Sequence, residues 1–174
     1  MNKKVIPIVN KKVNLKQKIK IMGLFNFVKD AGAKIFGKKE ETSAPVEQKK
    51  QIRAQALLDY VKALGLTYQT IKITVNDDDV KVEGKVAEQA DAEKIILAIG
   101  NVEGVDQVEN LMEVITPTPQ AKYHTVVKGD TLSKISKTVY GDAMKYNIIF
   151  EANKPMLSDP NKIYPGQVLR IPNL

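Results

Sequence analysis

Residues 71–86 read IKITVNDDDVKVEGKV and hold the clearest structural pattern in the chain. Apolar and polar residues alternate on both sides of the turn Asn76-Asp77-Asp78-Asp79, as is typical of two strands that bury one face. A short acidic turn between two such runs favours an antiparallel hairpin. The inward-facing positions are then Ile71, Ile73 and Val75 before the turn, and Val80, Val82 and Val86 after it.

Helical patterns flank this hairpin. Residues 47–65 place apolar side chains at helical spacing and end at Gly65, and residues 88–99 do the same before Gly100. The first helix should bury Ile52, Ala56, Leu57, Tyr60, Val61 and Leu64, and the second Ala92, Ile95, Ile96 and Ile99. A final strand is predicted over residues 105–114. The order helix, strand, strand, helix, strand predicts a small sheet with one face covered by helices, over residues 47–115.

The pattern restarts after a Thr/Pro linker at residues 116–121, where Pro117 and Pro119 oppose strand pairing. Residues 123–127 read as a strand, and Asp130 is expected to cap the helix that follows. A second helix comes after Gly141, and residues 168–171 close as a strand. The sequence therefore predicts an α+β fold of two small domains, the second spanning residues 122–174. Its first helix carries Leu132, Ile135 and Val139, and its second carries Met144, Ile148, Ile149 and Ala152.

The N-terminal part has a different character. Residues 24–36 place five apolar residues on one helical stripe, namely Leu24, Phe27, Val28, Ala31 and Ile35. Residues 22–46 are therefore predicted to form an amphipathic helix and a polar connector. Residues 1–21 carry seven lysines and no acid, and we expect this extension to be disordered. From Gly23 onward, 20 basic residues balance 20 acidic ones, so the charge does not indicate a nucleic-acid partner.

Composition excludes several function classes. The chain has no cysteine, so it offers neither disulfides nor thiolate metal sites. The apolar run near the N-terminus, residues 5–9, is too short for a secretory signal, and no run approaches the length of a spanning helix. This predicts a soluble, cytoplasmic protein without a membrane partner. His124 is the only histidine, and no motif near it provides partners for catalysis. The sequence also contains no glycine-rich phosphate-binding motif. We therefore expect a monomeric binding protein rather than an enzyme.

Specific sequence blocks carry resemblances to known domains. The blocks YHTVVKGDTLSKIS (123–136), NK (153–154) and IYPGQVLRIP (163–172) closely resemble a LysM domain. The blocks VEGKV (82–86) and GVDQVEN (104–110), together with the order of elements, resemble a BON domain. These resemblances imply the orders α-β-β-α-β for the first domain and β-α-α-β for the second.

The two domains in this order, preceded by MGLFNFVKDAG (22–32) and containing FEANKPML (150–157), resemble a family of small cytoplasmic bacterial potassium-binding proteins. Residues 1–21 have no counterpart in that pattern. The resemblance implies selective binding of K⁺, a conformational change on binding, and a role in sensing or buffering the ion. The residues that it implies as backbone-carbonyl ligands are Val28, Ala31, Gly100, Val102 and Val105.

The turn at residues 100–105 fits this implication physically. A large, weakly hydrated cation is best coordinated by neutral carbonyl oxygens. Two glycines free the backbone there, and unpaired carbonyls at a helix C-terminus carry partial negative charge. An ordinary glycine-stopped helix with a tight turn explains the same residues and stays open as an alternative.

The three aspartates of the hairpin turn could belong to a calcium-binding loop. With Asp77 as the first position of a calcium loop, Glu88 falls at the twelfth, but Val82 occupies the sixth, where glycine is required. We therefore interpret Asp77, Asp78 and Asp79 as solvated turn residues.

The LysM resemblance implies an alternative function, the binding of peptidoglycan or another N-acetylglucosamine-containing glycan. The groove would lie between the first strand–helix turn and the loop before the last strand. Its residues would be Gly129, Asp130, Thr131, Leu132, Asn153, Ile163, Tyr164, Pro165 and Gly166. These residues also suit plain LysM turns, and a third possibility is a protein partner docked on the LysM surface.

Overall fold

The computed structural model describes residues 23–36 and 45–174. The first domain comprises β1 (Gly23–Asn26), α1 (Val46–Ala63), β2 (Thr70–Asn76), β3 (Asp79–Glu88), α2 (Gln89–Gly100) and β4 (Gln107–Thr116). The second comprises β5 (Lys122–Thr125), α3 (Leu132–Tyr140), a 3₁₀ turn (Ala143–Lys145), α4 (Tyr146–Ala152) and β6 (Val168–Ile171). The predicted α+β class and both orders of elements are confirmed.

The first domain is built on a four-stranded sheet with the order β1-β4-β3-β2. The hairpin forms as predicted, with Val75 opposite Val80 and Asn76 opposite Asp79. Helix α2 then returns the chain so that β4 pairs in parallel with β3, from Asp79 opposite Gln107 to Glu88 opposite Thr116. Strand β4 begins two residues later than predicted and continues to Thr116, after which Pro117 cannot donate to the ladder.

The helix predicted for residues 24–36 is wrong. Residues 23–26 form β1, which pairs antiparallel with β4, and residues 27–36 contain turns and a single bridge rather than a helix. An open edge of β4 outweighs the weak helical stripe, and Phe25 faces inward while Leu24 faces solvent. The predicted extension (1–21) and most of the connector (37–46) lie outside the described residues; Val46 already belongs to α1.

Helix α2 is buried on nearly every side. The predicted face of Ala92, Ile95, Ile96 and Ile99 packs on the sheet, and Leu97 and Ala98 are buried as well. A helix that is apolar all round lies inside the molecule. Here it lies between the sheet of the first domain and β6 of the second.

The second domain pairs β5 and β6 antiparallel and packs α3 and α4 against them. The predicted capping residue of α3 is wrong by one position. Thr131 is the N-cap, because its Oγ1 accepts a hydrogen bond from the Lys134 N–H at 3.2 Å. Asp130 instead accepts from the Val127 N–H at 3.0 Å and contacts His124 Nε2 at 2.8 Å.

Candidate ion site at the domain junction

The turn between α2 and β4, residues 101–106, is folded by its own backbone. The Val102 N–H donates to the Ile99 carbonyl at 3.2 Å, and the Val105 N–H donates to the Val102 carbonyl at 3.1 Å. Gly104 has a φ of 94°, which a residue with a side chain rarely adopts. We call these residues the α2–β4 turn. Val102 and Val105 are fully buried within it.

The N-terminal segment, defined here as residues 27–36, runs along this turn and is joined to it by backbone hydrogen bonds. The Ala33 N–H donates to the Asn101 carbonyl at 2.9 Å, and the Glu103 N–H donates back to the Ala33 carbonyl at 3.0 Å. The Gly104 N–H donates to the Lys29 carbonyl at 2.7 Å. The two chain regions that the sequence implicated in ion binding therefore lie in direct contact.

Two glycines make this close approach possible. A Cβ on Gly32, whose φ is 129°, would lie 2.1 Å from the Asn101 carbonyl oxygen. A Cβ on Gly100 would lie 2.0 Å from the ring of Phe27, which covers the end of α2. The segment can pack on the turn only where these side chains are missing.

Side chains from α1 and the hairpin anchor the same junction. Lys29 forms a salt bridge with Asp78, and this hydrogen bond and charge raise the pKa of Lys29 above its usual value. Arg53 donates to the carbonyls of Asp77 at 2.6 Å and Gly104 at 2.8 Å. Its guanidinium also lies 4.5 Å from the centroid of the Phe36 ring.

The predicted carbonyl ligands differ in their hydrogen bonding. The Val28 carbonyl accepts from the Ala31 N–H at 3.0 Å, and the Val102 carbonyl accepts from Val105. Within residues 23–36 and 45–174, no N–H group donates to the carbonyls of Ala31, Gly100 or Val105. These oxygens are neutral donors of the kind that suits K⁺. The chemistry of these donors, three of which receive no hydrogen bond from the described residues, fits a weakly hydrated monovalent cation.

The acidic turn has a different role from the calcium loop considered above. Asp78 is engaged by Lys29 and lies 3.8 Å from Arg53, so it ties the N-terminal segment to the hairpin instead of being simply solvated. In the described part of the chain, no group of three or more histidine, aspartate or glutamate side chains is arranged to hold a metal ion. Carboxylate-rich coordination, which divalent ions prefer, is not assembled there.

The second domain forms the third side of the junction. A Cβ on Gly166 would lie 2.9 Å from the Cβ of Ala31 and 3.1 Å from that of Val28. The Asn101 side chain donates to the Val168 carbonyl at 2.9 Å and accepts from the Val168 N–H at 2.8 Å. These long-range contacts had no local sequence signal.

A buried ion pair joins the domains farther along α2. Arg170 Nε donates to Glu93 Oε2 at 2.6 Å, and Glu93 is only 2% exposed. Glu93 Oε1 also accepts from Gln89 and from the Ala121 N–H. In the sequence, only the acidic residue Glu93 on a largely apolar helix indicated that such a contact could exist.

The residues proposed for a glycan groove are not all available. Leu132 and Asn153 are each 2% exposed, and the Asn153 amide is engaged with Ile149 and Arg170 inside the domain. Gly129, Thr131 and Pro165 are exposed, and Asp130, Ile163, Tyr164 and Gly166 are partly buried. The hydrogen bond from His124 lowers the pKa of Asp130. Burial, with the nearby Tyr60, raises the pKa of Tyr164 to about 12.

Comparison with known proteins identifies both domains. Residues 48–116 match the BON domain family, and residues 124–172 match the LysM domain family. Over 152 residues, the chain is 44% identical to the potassium binding protein Kbp of Escherichia coli O6:H1 (strain CFT073), covering 87% of this chain and 99% of that protein. The chain belongs to the Kbp family.

A second relative is more distant. An uncharacterized protein of Deinococcus radiodurans is 33% identical over 132 residues, which cover 68% of this chain and 51% of that protein.

In this Kbp-family chain, none of the helices of the described part is long and apolar enough to cross a membrane.

Proposed function

We propose that the chain is a non-enzymatic, cytoplasmic potassium-binding protein. The observation that carries the proposal is the meeting of Ala31, Gly100 and Val105, whose carbonyls receive no hydrogen bond from the described residues, at one junction. The name of the relative from Escherichia coli supports K⁺ as the ion. The proposed ligands are the carbonyls of Val28, Ala31, Gly100, Val102 and Val105.

Ion binding would stabilise the docked N-terminal segment. Its ligands Val28 and Ala31 can join those of the α2–β4 turn only while the segment lies on the turn. A ligand that binds one conformation alone shifts the population toward it. Binding of K⁺ would therefore order and compact the protein, which suits a sensor or buffer of intracellular potassium.

The first experiment is calorimetric titration of ion-stripped protein with K⁺, Na⁺ and Ca²⁺ at constant ionic strength, with small-angle scattering before and after. We expect saturable K⁺ binding with compaction and little response to Na⁺. If none of the three ions produces binding heat or compaction, the proposal is overturned.

Two truncations locate the site. Removal of residues 1–36 eliminates the carbonyls of Val28 and Ala31, so K⁺ affinity should fall by at least about tenfold, the effect of 1.4 kcal/mol. Removal of residues 1–21 is the matched control, because it shortens the chain but leaves those carbonyls, and should leave affinity unchanged. Equal affinity in both truncations would exclude the N-terminal segment from the site.

The alternative function is glycan binding by the LysM domain. The LysM family match and the exposure of Gly129 and Thr131 favour it, whereas the packing of Gly166 on the N-terminal segment opposes it. Titration with chitin oligosaccharides and peptidoglycan fragments tests this alternative. Chemical-shift changes at residues 129–131 would support it, and a protein partner captured without ion or glycan would support the third possibility.

A further inference from the structure

Asn101 is the residue at which all three parts of the junction meet. Its backbone N–H donates to Leu97 of α2 at 2.9 Å, and its carbonyl accepts from Ala33 of the N-terminal segment at 2.9 Å. Its side-chain amide makes both hydrogen bonds to Val168 of β6, at 2.9 and 2.8 Å. It also lies between Gly100 and Val102, two of the proposed carbonyl ligands.

The amide of Asn101 completes the free edge of a sheet. Among the strands of the described residues, β6 pairs with β5 and has no strand on its other side. On β6, Asn153 Oδ1 accepts from the Arg170 N–H at 2.8 Å, and its Nδ2 donates to the Arg170 carbonyl at 2.8 Å. Asn101 makes the same pair of bonds two residues earlier, at Val168. One cap therefore comes from within the LysM domain and the other from the α2–β4 turn.

We propose that Asn101 is the positioning residue that couples ion binding in the α2–β4 turn to docking of the LysM domain. This inference rests on the proposed potassium function. Ligation by Gly100 and Val102 fixes the backbone on both sides of Asn101 and so aims its amide at Val168. If the Asn101 amide turns away, the N–H and carbonyl of Val168 in β6 lose their hydrogen-bond partners, and unpaired buried backbone groups are unfavourable. By reciprocity, LysM docking then favours ion binding by the same factor.

Arg170 supplies an internal control for the first experiment. Amide hydrogen exchange is measured by NMR on the full chain in K⁺ and in Na⁺ at equal ionic strength. We expect K⁺ to slow exchange of the Val168 N–H by at least about fivefold, within the usual range of coupling. The Arg170 N–H, capped by Asn153, should respond less.

Variants separate coupling from simple loosening of the domains. In Asn101→Ala, K⁺ affinity should fall by at least about fivefold, and exchange at Val168 should no longer respond to K⁺. Glu93→Gln is the matched control: it weakens the same interface from a position about 12 Å away along α2, and should retain the response of Val168 to K⁺.

The outcomes distinguish the inference from the function on which it rests. Calorimetric K⁺ binding with equal responses at Val168 and Arg170 overturns the coupling and leaves the potassium function intact. Absence of K⁺ binding to the wild-type chain overturns both. In the third outcome, K⁺ slows amide exchange at Val168 but not at Arg170 in the wild-type chain, and the same slowing is seen in Asn101→Ala. If circular dichroism shows that this variant is folded, the result overturns the role of Asn101.

Discussion

The two domains differ in how they are stabilised. The BON domain has an extensive apolar core in which α2 packs between the sheet and β6, whereas the LysM core is small. Val168 of the LysM domain is buried in the BON core, and Tyr123 and Met156 pack against it. The LysM core itself consists of Val126, Leu132, Ile135, Ile149, Leu157, Leu169 and Ile171, flanked by Tyr140, Tyr146, Phe150 and Ile163.

This difference indicates that the LysM domain depends on the junction more than the BON domain does. A small domain buries a smaller fraction of its surface on folding, so its stability is marginal. Docking buries additional apolar surface of the LysM domain and caps the edge of β6. The BON core gains less in proportion from the same contact.

The largest effects are expected from a matched pair of core substitutions. Leu97→Ala and Ile149→Ala each remove a fully buried branched side chain and should cost about 2–5 kcal/mol. Leu97→Ala should weaken both domains, because α2 carries the junction, whereas Ile149→Ala should open the LysM domain alone. Native-state hydrogen exchange measures the protection of each domain in the two variants. If Ile149→Ala lowers protection equally in both domains, the LysM domain does not depend on the junction more than the BON domain does.

Next in size is the buried interdomain ion pair. Glu93→Gln leaves Arg170, whose side chain is 13% exposed, without its charged partner and should cost about 3 kcal/mol in urea unfolding. A double variant, Glu93→Leu with Arg170→Leu, should recover only part of that loss. It removes the unpaired guanidinium, but it leaves the Ala121 N–H and the Gln89 amide without the acceptor that Glu93 provides. A change below about 0.5 kcal/mol in Glu93→Gln would show that the pair is not a main support of docking.

A smaller effect is expected from Gly100→Ala, because the added methyl group must displace Phe27. Overpacking of this kind costs about 1–3 kcal/mol. Removal of the ring in Phe27→Ala makes room, so a double-mutant cycle by urea unfolding should be strongly non-additive. Additive costs would mean that Phe27 does not control access to the end of α2.

The last effect concerns alkaline pH and is negligible at neutral pH. Burial of Tyr164 raises its pKa from about 10 to about 12, so the folded state holds the phenolic proton more tightly than the unfolded state. The contribution of this proton to stability is complete below pH 10 and is lost as the pH rises from 10 to 12. Tyr164→Phe should therefore gain stability relative to wild type over that interval, measured by urea unfolding. A constant difference across it would contradict burial of the phenol.

Much of the fold was predictable because local patterns and tertiary packing agree. In the hairpin, alternation and turn chemistry both favour strands, and the structure adopts the predicted pairing. The N-terminal segment was not predictable, because its stripe is short and its conformation is set by the open edge of β4 and the space beside Gly100. Tertiary context overrides weak local preference in such segments.

The candidate site was predictable only through resemblance. Backbone carbonyls leave no side-chain signature, and Asn101 contacts Val168 across 67 residues of sequence. Glu93 offered a weak signal, since a carboxylate beside Ala92 and Ile96 needs a partner if it is buried. Its partner, Arg170, lies 77 residues away and could not be chosen from the sequence.

The shared cap on β6 bears on how the LysM domain can be transplanted. If residues 122–174 were grafted onto an unrelated host, the backbone groups of Val168 would be left as an unfinished strand edge, and such edges invite pairing with other chains. A host that presents an asparagine at the position of Asn101 would complete the edge. The modular unit is therefore the LysM domain together with one amide from its neighbour.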